Sequence, residues 1–277
     1  MIEINKIYNE NCLDTLNRMD SALIDIVVTS PPYDNLRTYE GFVFPFEDIA
    51  RELYRVIKPG GVVVWVVSDA TINGSETGTS FRQALYFKEI GFNLHDTMIY
   101  QKQATPFPDN SRYYSIFEYM FIFSKGKPKT FNQICDRKNI EAGNRIIGTT
   151  NRKRDGSLIK THAETNHTLR DIKPFGARFN VWRYNVGQGH THTDQEGYKH
   201  PATFPEKLAA DHIVSWSNEN DLVYDPFMGS GTTAKMAYLL KRNYLGSEIS
   251  TKYCAIAEER LANAKHNLFE MAEKEIA

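Results

Sequence analysis

The chain has 277 residues, of which 41% are hydrophobic and 24% are charged, and its formal net charge is −1. These values are ordinary for a globular protein and leave no overall basic field that would by itself indicate nucleic-acid binding. No apolar run approaches the roughly 18 residues of a membrane span, and the first residues carry no signal-peptide pattern. The three cysteines lie far apart and predict neither disulfides nor a zinc cluster. We therefore expect a cytoplasmic protein without a membrane partner.

The first 125 residues alternate between strand-like and helix-like patterns. Residues 23–30 (LIDIVVTS) predict a buried strand that ends at two prolines, and residues 46–58 have apolar side chains at helical spacing. We expect Pro59-Gly60-Gly61 to end this helix. Residues 62–68 (VVVWVVS) then predict a strand that is apolar on both faces, as in a parallel sheet. A second helix and two strands follow, over 80–92, 94–102 and 117–126. This alternation predicts an α/β sheet.

Residues 128–199 interrupt this pattern with a polar segment. Nine basic residues and three acidic residues lie between 145 and 183, and five of the eight histidines lie between 162 and 200. A solvated loop is one interpretation. A segment of this length inside a compact domain is, however, usually functional.

The α/β pattern returns after residue 200. A helix is predicted over 205–217, and a closing helix over 251–275. Between them, residues 221–250 have the order strand, glycine loop, helix, strand. Two predicted halves, 1–127 and 200–277, therefore flank the insert at 128–199.

The glycine loop, Asp225 to Thr233 (DPFMGSGTT), follows a short strand and begins a helix. Gly229 and Gly231 allow close approach of a ligand to the backbone, and the helix N-terminus offers free N–H groups. No lysine follows Gly231, so the loop is not a P-loop, and the third glycine of a dinucleotide fingerprint is missing. Glu248 ends the next strand, at a distance along the chain that is typical of a ribose-binding acid. A nucleoside-type site is predicted, with a ligand-free tight turn as the alternative.

The segment Ser30-Pro31-Pro32-Tyr33 ends the first long strand. The prolines fix the backbone and leave its carbonyl groups free to accept hydrogen bonds. A rigid tip at the carboxyl edge of a sheet suits an exocyclic amino group, which would donate to the Pro31 carbonyl and to Ser30, while Tyr33 stacks on a planar base. The alternative is a rigid turn with an ordinary half-buried tyrosine.

Together, TSPPY at 29–33 and DPFMGSGTT at 225–233 resemble the amino-methyltransferases of DNA, which use S-adenosylmethionine. The catalytic tip precedes the cofactor loop, which is the order of the permuted β class. The resemblance covers about 1–125 and 199–265 and includes HPATFPEKL at 200–208. It implies a Rossmann-like sheet, mostly parallel with one antiparallel strand, in which 128–199 is an inserted target-recognition region.

The resemblance also implies a role for each matched residue. Ser30, Pro31, Pro32 and Tyr33 would hold the target amine, and Glu248 would hold the ribose hydroxyls. Many relatives place an aspartate near the cofactor adenine where this chain has Asn11, beside Cys12. The remaining cofactor-binding candidates are Phe204, Pro205, Asp225, Pro226, Phe227, Gly229, Ser230, Gly231 and Thr232.

The expected reaction is methyl transfer to the amine of a base flipped out of the duplex. In the family that the chain resembles, a serine at the position of Ser30 favours cytosine N4, so the resemblance implies cytosine N4 as the target, with adenine N6 as the alternative. No cysteine follows a proline, which disfavours cytosine-C5 chemistry. An RNA or protein-amide methyltransferase and an inactive DNA-binding protein are remoter alternatives.

The insert is expected to contact double-stranded DNA. The candidates are Arg152, Lys153, Arg154, Arg170, Lys173 and Arg178. No metal site is expected, because the spacing of His190, His192 and His200 matches no common zinc site. A cognate restriction endonuclease and a second copy of the chain are possible partners in such a family.

Overall fold

The computed structural model describes residues 2–32, 44–103, 110–144, 148–162, 171–200 and 203–276. The chain forms two compact units. The larger unit contains Met1–Asn132 and Asn180–Ala277, and the smaller contains Gln133–Phe179.

The larger unit is built on an eight-stranded sheet. In chain order its strands are β1 (Lys6–Tyr8), β2 (Ile24–Thr29), β3 (Ile57–Val67), β6 (Asn93–Gln103), β7 (Phe117–Ser124), β12 (Val181–Asn185), β13 (Leu222–Asp225) and β14 (Asn243–Ser247). The remaining strands form short two-stranded ladders: β4 (Thr71–Ile72) with β5 (Ser75–Glu76), β8 (Arg137–Lys138) with β11 (Phe175–Gly176), and β9 (Gly148–Arg152) with β10 (Leu158–His162).

The described residues contain six α-helices and one short 3-10 helix, Glu196–Lys199. The α-helices are α1 (Cys12–Asn17), α2 (Phe46–Val56), α3 (Thr79–Glu89), α4 (Glu206–Trp216), α5 (Thr232–Leu239) and α6 (Thr251–Ile276). No helix among the described residues has the length and apolar character that crossing a membrane requires.

The order of the large sheet is β1-β14-β13-β2-β3-β7-β6-β12. Every neighbouring pair is parallel except the two pairs formed by β7, which runs antiparallel to β3 and to β6. The prediction of a mostly parallel Rossmann-like sheet with one antiparallel strand is therefore confirmed.

The centre of the sheet is buried on both faces, as its sequence indicates. All six residues of β2 and the last seven residues of β3 are buried. On one face, Trp65 of β3 packs edge-on against Phe87 of α3, with ring centroids 5.1 Å apart, and Phe87 lies 4.5 Å from Phe123 of β7. Phe46 of α2 contacts Trp65 and Phe87 as well, so this aromatic cluster packs both α2 and α3 against the sheet.

The predicted end of α2 at Pro59-Gly60-Gly61 is wrong in detail. The helix ends at Val56, and β3 begins at Ile57 and runs through the Pro-Gly-Gly segment. The pairing of β2 with β3 shifts register here. Gly60 has φ +80°, and a Cβ on Gly61 would lie 2.8 Å from the carbonyl oxygen of Asp25. The glycines therefore permit an irregular strand rather than a loop.

The sequence did not predict β12, which lies within 128–199. This strand pairs in parallel with β6 at the edge of the large sheet. Trp182 and Tyr184 are buried, whereas Val181, Arg183 and Asn185 are exposed. Because β12 and the residues after it belong to the larger unit, the smaller unit is shorter than the expected insert.

Candidate active site

The adjacent parallel strands β14, β13 and β2 end at one edge of the large sheet. This edge carries residues from both predicted motifs: Ser30, Pro31 and Pro32 follow β2, Asp225 ends β13, and Glu248 follows β14. Pro31 is buried, while Ser30 and Pro32 are half-buried. Tyr33, also predicted at the tip, lies outside the described residues.

The Asp225 carboxyl is almost completely buried, with 2% of the residue exposed. Its Oδ1 accepts hydrogen bonds from the Thr29 hydroxyl at 2.6 Å and from the Phe227 N–H at 3.0 Å. Burial raises the pKa of Asp225 to about 6, although hydrogen bonds from Thr29, Phe227 and Thr233 oppose the rise. A cation placed beside this carboxyl would favour its ionised form.

Two buried threonine hydroxyls join the strand of the catalytic tip to the cofactor loop. Thr29 lies immediately before Ser30 and donates to Asp225, and Thr233 on α5 donates to the Val28 carbonyl at 3.0 Å. Both threonines are inaccessible to solvent or nearly so. Neither hydroxyl was predicted from the sequence, in which the position of Thr29 beside Ser30-Pro31-Pro32 was the available signal.

The glycine loop is held against β14 and α6. The Gly229 N–H donates to Glu248 Oε2 at 2.7 Å, and the Met228 N–H donates to the Ser247 carbonyl at 2.9 Å. Gly231 caps α5 with φ +81°, and a Cβ there would lie 2.7 Å from the Cβ of Ala257. Glycine at 231 is therefore required both by the backbone conformation and by the close packing.

Glu248 is positioned by two backbone groups. Its Oε2 accepts from Gly229, and its Oε1 accepts from the Ser250 N–H at 2.8 Å. Burial raises the pKa of Glu248, while these hydrogen bonds oppose the rise. Each carboxylate oxygen has a second lone pair, so the side chain can accept two hydroxyl donors. This arrangement fits the vicinal hydroxyls of a ribose.

A buried arginine supports the loop from α6 and was not anticipated from the sequence. Arg260 donates through Nη1 to the Ser230 carbonyl at 2.6 Å, to the Ser230 hydroxyl at 3.1 Å and to the Thr232 hydroxyl at 3.2 Å. The available signal was an arginine on the apolar face of the closing helix, where Ala257 and Leu261 are buried.

Arg260 belongs to a buried ion network with Lys235, Asp194 and Glu206. Arg260 donates to Asp194 at 2.9 and 3.0 Å and to Glu206 at 2.7 Å, and Lys235 donates to the same two acids at 2.6 and 2.7 Å. Burial alone would raise the pKa of Glu206, but hydrogen bonds from His192 and Lys235 bring it well below its usual range. Two cations and two carboxylates thus balance one another.

The other cofactor candidates occupy varied environments. Asn11 caps α1, accepting from the Leu13 N–H at 3.0 Å. Burial raises the pKa of Cys12 to about 12, which keeps its thiol neutral. Pro205 is buried at the start of α4, beside a half-buried Phe204.

The residues after Asp225 turn partly toward the core. Pro226 is buried, and the Phe227 ring packs edge-on against Phe44 and Trp65, with centroids 5.5 and 6.2 Å away. His200 lies beside the loop as well, because a Cβ on Gly229 would be 3.3 Å from its Nε2. Contact of Phe227 with a cofactor stays a prediction.

The predicted DNA-binding residues lie in the smaller unit. Arg152, Lys153 and Arg154 are exposed around the β9–β10 turn, and Lys173 is also exposed. Arg178 is paired with Asp136, with Nε to Oδ1 at 3.0 Å. Arg170 lies outside the described residues.

His190, His192 and His200 were considered from the sequence as possible metal ligands. His192 bonds to the Thr203 hydroxyl through Nε2 at 2.8 Å and lies near Arg260 through Nδ1. Across the described ranges, no group of three or more His, Cys, Asp and Glu side chains is placed to hold a metal.

The DNA methylase family model, which covers N6-adenine and N4-cytosine enzymes, matches residues 24–259. This span includes both motifs and the residues between them. The chain belongs to the DNA methylase family. It is a DNA methyltransferase that uses S-adenosylmethionine.

The relatives of this methylase agree with that assignment. It is 62% identical over 241 residues to the orphan methyltransferase M.BamHII of Bacillus amyloliquefaciens, covering 87% of this chain and 89% of the relative. Its fold is similar to that of PvuII DNA methyltransferase, a cytosine-N4-specific enzyme, with a TM-score of 0.67, 20% identity and coverage of 94% and 87% of the two chains.

A second solved structure has a similar fold and contains the cofactor. This candidate DNA modification methylase from Thermus thermophilus, complexed with S-adenosyl-L-methionine, gives a TM-score of 0.62 at 22% identity, with 94% of each chain covered. The 277-residue chain has groups that fit the same cofactor. Asp225 is a buried carboxyl suited to a cation, Glu248 is an oriented carboxyl suited to a diol, and the crowded glycine loop lies between them.

Proposed function

We propose that this methylase transfers a methyl group to the exocyclic amine of a flipped base in DNA, with cytosine N4 as the target. The proposal rests on one observation. The Ser30-Pro31-Pro32 tip and the Asp225 carboxyl lie on adjacent parallel strands and are joined through the Thr29 hydroxyl at 2.6 Å. A group that holds the target amine and a group that holds the cofactor thus share one sheet edge.

The cofactor residues act by charge and shape. Asp225 accepts a hydrogen bond from the ammonium group of the methionine part, and Glu248 accepts hydrogen bonds from the ribose hydroxyls. Gly229, Ser230, Gly231 and Thr232 line the methionine part, and Asn11, Cys12, Phe204 and Pro205 surround the nucleoside. Pro226 and Phe227 shape the start of the loop. S-adenosylmethionine supplies an electrophilic methyl group on a sulfonium.

The tip prepares the amine as a nucleophile. An exocyclic amine is conjugated with its ring and attacks poorly. Hydrogen bonds from the amine to Ser30 and to the Pro31 carbonyl favour a pyramidal nitrogen whose lone pair is available. Pro32 keeps the tip rigid, and Tyr33 stacks on the flipped base. Positioning of the two reactants supplies much of the rate, and the extra proton leaves to water.

The choice of cytosine N4 depends on Ser30, with adenine N6 as the second candidate. The family includes enzymes for both bases. At 20% identity, the likeness to the cytosine-N4-specific PvuII enzyme supports the fold and adds nothing on the base.

The insert at 128–199 is proposed to read the DNA target. Arg152, Lys153 and Arg154 would contact phosphates, and Lys173 and Arg170 would contact phosphates or base edges. Arg178 would contact DNA only after its pairing with Asp136 is exchanged. The halves 1–127 and 200–277 would supply catalysis and cofactor binding.

Further partners are also proposals. The relative M.BamHII is named an orphan methyltransferase, so a cognate endonuclease for this chain stays a prediction. A second copy of the chain is a further predicted partner. A cytoplasmic location is proposed because the proposed substrate, DNA, lies in the cytoplasm of bacteria such as the source of M.BamHII.

The decisive experiment is product identity. The protein would be incubated with S-adenosylmethionine and unmethylated DNA, and the DNA digested to nucleosides for mass spectrometry. We expect N4-methylcytosine. N6-methyladenine would keep the activity and overturn the choice of base, and absence of both across varied DNA would overturn the proposed reaction.

Substitution at the two motifs tests the site. Tyr33→Ala and Asp225→Ala should each lower kcat/KM by about two orders of magnitude or more, because one removes base stacking and the other a buried charge. Tyr113→Ala, at a fully exposed tyrosine, is the control. Wild-type turnover in both motif variants would refute the site.

A further inference from the structure

The hydroxyl of Thr29 occupies a position that links the two motifs. Thr29 is completely buried, and its Oγ1 donates to Asp225 Oδ1 at 2.6 Å. The two residues are 196 positions apart along the chain. Because neighbouring β2 and β13 are parallel, the contact joins the last residue before Ser30 to the carboxyl at the start of the glycine loop.

The same oxygen of Asp225 accepts a second hydrogen bond, from the Phe227 N–H. Two donors from different segments, one a side chain and one the backbone, hold a single carboxyl oxygen and restrict rotation of the group. A second hydroxyl bridge, from Thr233 to the Val28 carbonyl, fixes α5 relative to the same strand.

We propose that Thr29 is a positioning residue for cofactor binding, orienting the Asp225 carboxylate toward the cofactor's ammonium group and coupling it to the strand that carries Ser30. This inference rests on the proposed role of Asp225 and extends it to a residue outside the assigned site. A hydroxyl donor stabilises the ionised carboxylate more than the neutral acid. Removing the donor therefore makes Asp225 harder to ionise.

The groups around Asp225 decide whether the pH dependence of cofactor binding reports ionisation of Asp225. Burial raises the pKa of Cys12 to about 12 and that of Tyr224 well above its usual value, so neither titrates between pH 5 and 8. Glu248, whose charge raises the pKa of Asp225, and His200, which lies beside Gly229, are the other titratable groups near this carboxyl in the described part of the chain. The Glu248→Gln variant therefore shows whether the loss of binding at low pH comes from Asp225 or from Glu248.

The test is calorimetric titration of S-adenosylhomocysteine, which carries the same ammonium group, from pH 5 to pH 8. Affinity of the wild type should fall as pH drops through about 6, where Asp225 becomes protonated. Thr29→Val has the same shape without the donor. It should move the midpoint of the affinity–pH curve upward by about one pH unit, and so weaken binding about threefold near pH 6.5 and about tenfold near pH 5.

Conservative variants separate this role from general destabilisation. Thr29→Ser keeps the hydroxyl and should retain the wild-type midpoint, whereas Thr29→Cys, a weaker donor, should fall between serine and valine. Thr29→Cys also provides the measurement if the valine variant does not fold. Ser124→Ala is the matched control, since Ser124 is a buried hydroxyl donor at the opposite end of the sheet.

Each outcome is decisive. A raised midpoint in Thr29→Val that Thr29→Ser restores supports the proposal. An unchanged midpoint in both Thr29→Val and Thr29→Cys, or a serine variant that behaves like valine, overturns it while leaving the methyltransferase assignment intact. A wild type that binds no S-adenosylhomocysteine overturns the proposed cofactor site itself, and the inference with it.

Discussion

At the scale of single residues, the buried carboxyl of Asp225 at the proposed cofactor site lowers the stability of the folded protein when it is ionised. Its pKa is raised from 3.8 to about 6, principally by burial. A folded-state pKa above the unfolded value means that the folded protein binds the proton more tightly. The resulting stability is fully present below about pH 4 and is lost as pH rises through about 6.

This sign gives a stability prediction for the ligand-free protein. Between pH 4 and pH 7, ionisation of Asp225 should lower the free energy of unfolding by about 2 kcal/mol. Asp225→Asn cannot ionise and should lack this decrease. Urea denaturation at several pH values measures the difference between the two proteins. Parallel pH profiles for wild type and variant would show that Asp225 does not carry the shift.

At the scale of elements, the start of α5 shows how packing and backbone conformation act at one glycine. Gly231 and Gly78 both cap a helix with positive φ, yet a Cβ at Gly78 meets nothing within 4 Å whereas one at Gly231 meets Ala257 at 2.7 Å. The pair therefore separates backbone strain from steric overlap.

We expect Gly78→Ala to lower stability by about 1 kcal/mol through its backbone conformation alone. Gly231→Ala should lose more and should also raise the KM for S-adenosylmethionine severalfold, because α6 and the glycine loop must move apart. Denaturant titration and cofactor-dependent initial rates check the two effects. Equal losses in the two variants, with KM unchanged, would contradict this account of the loop.

The β9–β10 ladder is the second element with a testable role. Its turn presents three consecutive basic side chains, Arg152, Lys153 and Arg154, all exposed. Replacing all three by glutamine should weaken DNA binding. If each contacts a phosphate, the decline of log affinity with log salt concentration should also become shallower, by about 2 to 3 in slope. Affinity for S-adenosylhomocysteine is the internal control, and an unchanged salt slope would exclude phosphate contacts by this turn.

At the scale of the whole molecule, the ion network of Arg260, Lys235, Asp194 and Glu206 connects three helices with the segment after β12. The side chain of Arg260 is inaccessible to solvent, so its loss removes one of the two cations that face Asp194 and Glu206 and leaves Lys235 alone against both acids. Such a loss costs far more than breaking an exposed pair.

Arg260→Met should therefore lower the free energy of unfolding by about 3 to 5 kcal/mol. Lys235→Met should have a similar effect on stability, but Arg260→Met alone also removes the donors to Ser230 and Thr232. Arg51→Met breaks exposed pairs with Glu47 and Asp48 and a contact with the Tyr86 ring, and should change stability little. Chemical denaturation tests the order, and comparable values for Arg260→Met and Arg51→Met would refute it.

The sequence by itself determined the elements whose information is local. Alternating apolar strands and amphipathic helices predicted the sheet around β2, β3, β6 and β7, because periodicity and burial act over a few residues. The order of TSPPY and DPFMGSGTT indicated the methyltransferase family and its cofactor, which the family match confirmed.

Only the tertiary structure decided the contacts between distant segments. The edge strand β12 has no long apolar run, since only Trp182 and Tyr184 face inward, and it is stabilised by pairing with β6. The bond from Thr29 to Asp225 and the network of Arg260 join residues whose separation in sequence carries no signal of their contact. The effect of a buried charge or hydroxyl on stability and binding depends on its partners, and folding of the sheet brings those partners together.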